Sequence, residues 1–281
     1  MLRIISSGRK GKVFLAMAGL STCLTAAAFG QGKPPAAEAH YQRAIAKIKD
    51  ADRFIGDIDK WTRLRAEAVT DLNKALELDP DNRQYLIERG RTLDDPKLAI
   101  ADLGRAIALK PEDPEVYALR AMAFEADDVE KAIADLDKTV SLEPKNPRWY
   151  DERAEFFSLN GRRTEALADY TRALTLNPTY LDALRHRAYF YYSKDDHPKA
   201  IADWTSVIKI EAGNPIAYLS RAESYEKRRQ YPMALADVTT AIRLMPDRPG
   251  PLQRRAEIYR LIGKPMLAKK DDAAARKLKT Q

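Results

Sequence analysis

The stretch ALADYTRALTLNP, residues 166–178, decides how this chain is read, because close copies of it recur along the sequence. AVTDLNKALELDP starts at Ala68, AIADLGRAIALKP at Ala99 and AIADLDKTVSLEP at Ala132. AIADWTSVIKIEA starts at Ala200, ALADVTTAIRLMP at Ala234 and a worn copy, AKKDDAAARKLK, at Ala268. The steps between starts are 31, 33, 34, 34, 34 and 34. A second phrase, Arg followed by a small residue, precedes each of the last six copies: Arg89-Gly90, Arg120-Ala121, Arg153-Ala154, Arg187-Ala188, Arg221-Ala222 and Arg255-Ala256. Two phrases that keep one period mark a stack of equivalent supersecondary units.

Each unit reads as two helices. Tyr150, Ala154 and Phe157 fall at helical spacing within 149–159, and Asn160-Gly161 then breaks the chain. A second helix runs from Thr164 to Leu176, with Ala166, Leu167, Tyr170, Ala173 and Leu174 on one face. Asn177-Pro178 stops it, since proline cannot continue the hydrogen-bond ladder. The small residues Ala154, Ala166 and Ala173 let two antiparallel helices approach closely.

A 34-residue helix–turn–helix with these phrases resembles the tetratricopeptide repeat (TPR) family. The resemblance implies an all-α fold, a right-handed α-solenoid of about seven units. Residues 81–281 hold six TPR-like units, the last a polar C-terminal cap with Lys269, Lys270, Asp271 and Asp272 in place of apolar residues. Residues 38–80 read as a divergent N-terminal capping repeat, with a long first helix near His40–Ile55 and a second over Trp61–Leu78. The second unit is short, because Arg89 stands only 10 residues before Ala99. Its first helix is expected to be about a turn shorter. Acids recur with the arginines, at Asp102, Asp135, Asp169, Asp203, Asp237 and Asp271. A feature copied six times suits packing better than recognition, so each Arg is expected to pair with the Asp of its own or the next unit.

In this family the first helices line a concave groove that holds peptides. The resemblance therefore points to Arg148, Asp151, Glu155, Arg185, Tyr189, Tyr192, Glu223, Glu226 and Lys227 as the partner-binding groove, with Met122 and Glu125 as further groove-facing candidates. Tyr189 and Tyr192 either contact the partner or pack on neighbouring helices. The family's carboxylate clamp for chaperone tails needs Lys, Asn and Arg from successive first helices. None of these groove positions is Asn and only Lys227 is Lys, so such a tail is not the expected ligand.

The first 30 residues carry Arg3, Arg9, Lys10 and Lys12 and no acid, then an apolar run from Val13 to Phe29. They read as a signal peptide cut after Gly30 or Ala28, with 31–37 as a linker. An exported protein, periplasmic or secreted, follows. The alternative is a membrane-anchored structural component of an envelope assembly complex, held by an uncut leader or by a lipid on Cys23, since Leu20-Ser21-Thr22-Cys23 is similar to a lipobox. Cys23 is the only cysteine, so the body beyond the leader holds no disulfide or thiolate metal site.

The formal charge of +7 divides unevenly. Residues 215–281 hold 15 basic and 7 acidic side chains, a net of +8, whereas 31–214 hold 29 and 34, a net of −5. The basic end could meet acidic partners or anionic lipid headgroups. His40, His186 and His197 are scattered, no phosphate-binding glycine loop occurs, and no stripe of basic and aromatic residues suggests nucleic acid. The expected function is a non-enzymatic scaffold without cofactor that binds a protein or peptide.

Overall fold

The computed structural model describes residues 34–54, 56–124 and 128–279. Among these residues there are fourteen α-helices and no strand. They form seven consecutive pairs: α1 (Pro35–Asp52) with α2 (Ile58–Leu78), α3 (Arg83–Thr92) with α4 (Pro96–Leu109), and α5 (Pro114–Ala123) with α6 (Val129–Leu142). Then follow α7 (Pro147–Leu159) with α8 (Arg163–Leu176), α9 (Leu181–Ser193) with α10 (His197–Ile210), α11 (Pro215–Lys227) with α12 (Tyr231–Leu244), and α13 (Pro249–Leu261) with α14 (Pro265–Lys279). The two helices of a pair pack together, and each second helix packs on the first helix of the next unit. This is the nearest-neighbour stacking of a solenoid.

The helix starts follow from sequence. Asp113, Asn146 and Asn214 accept hydrogen bonds from the backbone N–H groups of Glu115, Arg148 and Ile216, and each is followed by a proline at the first helical position. The same preference moves the start of α1. Pro35 opens it, so residues 35–37 belong to the helix and not to a linker. α1 ends at Asp52, short of the expected Ile55, which lies outside the described residues, as do the leader, its cleavage sites and the Cys23 motif.

Small residues form the closest contacts. Ala154, Ala166 and Ala173 are fully buried, as are the equivalent Ala188, Ala200 and Ala222. α3 spans 10 residues where α7 spans 13, in line with the short spacing of the second unit. There the small position is Gly90. A Cβ on it would stand 2.7 Å from Leu103 Cγ and 3.3 Å from the Ala99 carbonyl oxygen. Gly90→Ala gains about 1 kcal/mol of helix propensity but overpacks a tight contact by about 1–3 kcal/mol. A net loss of about 1 kcal/mol is expected, read as a lower midpoint in denaturant unfolding.

The repeated arginines all take the same role. Arg89, Arg120, Arg153, Arg187, Arg221 and Arg255 each place Nε and Nη2 on the two carboxylate oxygens of the Asp in their own second helix, at 2.7–2.9 Å. The pairing never goes to the next unit in this set. Instead, Nη1 reaches back to the preceding second helix: to Asn73 from Arg89, Asp137 from Arg153, Thr205 from Arg221 and Thr239 from Arg255. Each such Arg therefore ties three helices through one planar fork. In the first unit Asp71 takes Lys47 at 2.9 Å, His40 at 3.0 Å and Arg43 at 3.3 Å. Burial pushes that carboxyl up, but the hydrogen bonds from Lys47, His40 and Arg43 outweigh it and hold it at about 2.

Candidate partner-binding face

The nine groove residues all lie on first helices, α7, α9 and α11. The structure brings them to one run of junctions, and most of them are engaged there with each other's helices. Arg148 on α7 pairs with Glu115 on α5 and, at 2.6 Å, with Glu152 one turn further along. Its guanidinium also lies 4.4 Å from the Trp149 ring centroid. Asp151 is 3% exposed, so it is a buried junction group and not a groove carboxylate. Its two oxygens stand 3.0 and 3.1 Å from His186 Nδ1 on α9.

Arg185 pairs with Asp182 at 3.2 Å and with Glu211, just before α11, at 2.5 Å. Tyr189 lies edge-on to Trp204 with centroids 4.8 Å apart, and its hydroxyl is 3.4 Å from Ser220 Oγ on α11. It is nonetheless 42% exposed, so it both packs and faces solvent. Tyr192 is half-buried with its ring against His197. Burial, and then the charge of Glu223, pushes its hydroxyl up. Glu226 receives Arg254 Nε of α13 at 2.7 Å, and Glu223 is 3.6 Å from the same guanidinium. Lys227, in the last turn of α11, is exposed. Met122 is 55% exposed, and Glu125 lies outside the described residues.

The first helices thus carry a second set of ties, built from residues that do not repeat. Glu115–Arg148 joins α5 to α7, Asp151–His186 joins α7 to α9, Tyr189–Ser220 joins α9 to α11, and Glu226–Arg254 joins α11 to α13. Sequence reasoning missed Glu115, Glu152, His186 and Arg254. A usable signal existed, since the partners stand about one repeat apart: 33, 35 and 28 residues for the three ionisable pairs.

Two features stay open to a partner. Between α5, α6 and α7 the side chains of Ala121, Met122, Leu136, Phe156 and Leu159 form a shallow apolar slot rimmed by Glu152 and Glu155. Burial pushes the Glu155 carboxyl up, which leaves it poised to gain from a cation. Further along, Tyr189 and Lys227 present an aromatic ring and an ammonium group on the same succession of helices.

Comparisons with known proteins agree with this architecture. Residues 160–215 match the family model described as Tetratricopeptide repeat. No curated relative matches the sequence. A solved tetratricopeptide repeat protein from Parabacteroides merdae is similar at 17% identity, covering 84% of this chain and 93% of that one, with a TM-score of 0.54. PilF of Pseudomonas aeruginosa is similar at 16% identity over 70% of this chain and 91% of that one, with a TM-score of 0.55. MamA from Desulfovibrio magneticus RS-1 is similar at 14% identity over 67% and 97%, with a TM-score of 0.50. Likeness at these identities is a likeness of fold. The described residues accordingly form an all-α solenoid of seven TPR-like helix pairs, and residues 160–215 match the tetratricopeptide repeat family model.

Proposed function

We propose that this protein is a non-enzymatic scaffold, exported from the cytoplasm, that holds an extended segment of a partner protein along the face formed by its first helices. The observation that carries this reading is the run of ties between those helices. They fix α5, α7, α9, α11 and α13 side by side, while the slot at Met122 and Phe156, the Tyr189 ring and Lys227 stay accessible. A face held rigid before binding loses less entropy when a partner docks. Aromatic and apolar anchors beside unpaired charge suit a peptide with alternating apolar and charged side chains.

A photo-crosslinking amino acid at Met122, Tyr189 or Lys227 should capture the same partner in cells. The same probe at Arg172, on the exposed side of α8, should not. Equal capture from Arg172 would remove the groove from the proposal. Export is read from residues 1–30, and the mass of the mature protein checks it. An amino terminus at Gln31 supports the cleaved signal, and a diacylglyceryl group on Cys23 supports the anchored alternative.

A further inference from the structure

The turns inside units four to seven share one construction. A backbone N–H closes each by bonding a carbonyl five residues back: Arg162 to Phe157, Asp196 to Tyr191, Gln230 to Tyr225 and Lys264 to Tyr259, all at 2.8–2.9 Å. The residue before each donor is left-handed: Gly161 at φ 75°, Asp195 at 57°, Arg229 at 56° and Gly263 at 70°. Because α12 stacks on α13, the equivalent turns of units six and seven lie next to each other on one edge of the solenoid. What they display differs from the other turns. Unit four sets Glu165 against Arg162 and Arg163 there, and unit five sets Asp195 and Asp196 against Lys194 and Lys199. Units six and seven carry Lys227, Arg228, Arg229, Lys264, Lys269 and Lys270 and no acid over 227–233 and 261–270.

Large apolar side chains protrude among those charges. Met266 is 76% exposed, Leu261 62%, Met233 51% and Leu267 41%. Nearby acids are already engaged: Glu226 with Arg254, Asp271 with Arg255 and Asp272 with Arg260. Arg229 also holds a backbone conformation that disfavours side chains, where two equivalent turns use glycine. A charged side chain kept at a strained, exposed position points to use.

We infer that this edge is a peripheral docking surface for an anionic lipid bilayer. Unbranched and flexible Met and Leu tips enter the headgroup boundary, and the surrounding ammonium and guanidinium groups meet lipid phosphates. The protruding tips favour a soft bilayer over a protein, which offers hot-spot residues a matching pocket. The charge division orients the molecule, with residues 215–281 at net +8 toward the surface and 31–214 at net −5 away from it. No helix among the described residues is long and apolar enough to cross a membrane, so contact through this edge is superficial. The surface meets the first helices only at their last residues, Lys227 of α11 and Leu261 of α13, and its other residues lie on the turns and second helices of units six and seven.

The test uses the full chain in a Cys23→Ser background, with a single cysteine carrying an environment-sensitive dye. Met266→Cys places the dye on the edge, and Leu98→Cys places it on an exposed site of the second unit. Vesicles of phosphatidylglycerol mixed with phosphatidylcholine should blue-shift the dye at 266 and not at 98, and phosphatidylcholine alone should shift neither. Changing Arg228, Arg229 and Lys264 to Gln should weaken that partition about 100-fold, at roughly fivefold per basic side chain. No shift at 266, or an equal shift at 98, overturns the proposal. An equal shift with polyglutamate shows a surface that reads charge alone, and the lipid assignment then falls.

Discussion

Arg221→Leu should destabilise the protein by about 3–5 kcal/mol, because it strands Asp237 without a partner among packed helices. Asp237 is 5% exposed and receives both Nε and Nη2 of Arg221, at 2.8 and 2.7 Å. The lost Arg also releases Thr205 of the preceding unit, so three helices loosen together. The double change Arg221→Leu with Asp237→Leu should recover most of the loss. A buried ion pair contributes little beyond an apolar pair of similar volume, whereas half of one is costly.

The loss should also be local. A solenoid is held by contacts between neighbours, so units six and seven should open before the rest. Hydrogen exchange should quicken in α11–α14 while α3–α8 stay protected. Exposed Lys209→Leu, a control one unit away, should move stability by no more than about 0.5 kcal/mol. If Arg221→Leu behaves like the control, the repeated pairs are surface decoration.

The sequence made the Arg–Asp ladder legible because both members recur with the step of the repeat. Arg153 and Asp169 are 16 residues apart, and so are Arg187 and Asp203, Arg221 and Asp237, and Arg255 and Asp271. Periodicity could not choose between a partner in the same unit and one in the next, since both lie on equivalent helices. Side-chain direction decided it.

The first-helix face was only partly legible. The named residues do lie on first helices, but their engagement with one another was hidden, because Glu115–Arg148 and Asp151–His186 occur once each and no repeat announces them. His186 in particular carries no motif, and its role arises from Asp151 on the neighbouring first helix. The linker was misplaced because proline is a breaker in one context and a helix starter in another, and Pro35 is the latter.

His186 leads to a pH effect of fixed sign. Burial alone would lower the ring's pKa, but the hydrogen bond and charge of Asp151, with the charges of Glu155 and Asp182, raise it to about 9. The folded value exceeds the free value of about 6.5, so the folded state binds this proton more tightly. The resulting stabilisation of the α7–α9 junction is complete below about pH 6.5 and is lost as pH rises through about 9. The unfolding midpoint in denaturant should therefore fall steadily between pH 7 and pH 9.5.

His186→Gln keeps a hydrogen-bonding side chain but cannot take the proton, so it should flatten that slope. His186→Leu should flatten it as well and should cost about 3 kcal/mol at pH 7, since Asp151 is then buried without a partner. Adding Asp151→Leu should restore much of that loss. Should the slope survive in His186→Gln, the titrating group lies elsewhere. The Asp151–His186 contact would then be a neutral hydrogen bond, and α7 and α9 would be joined by that bond and by packing, with no ion pair between them.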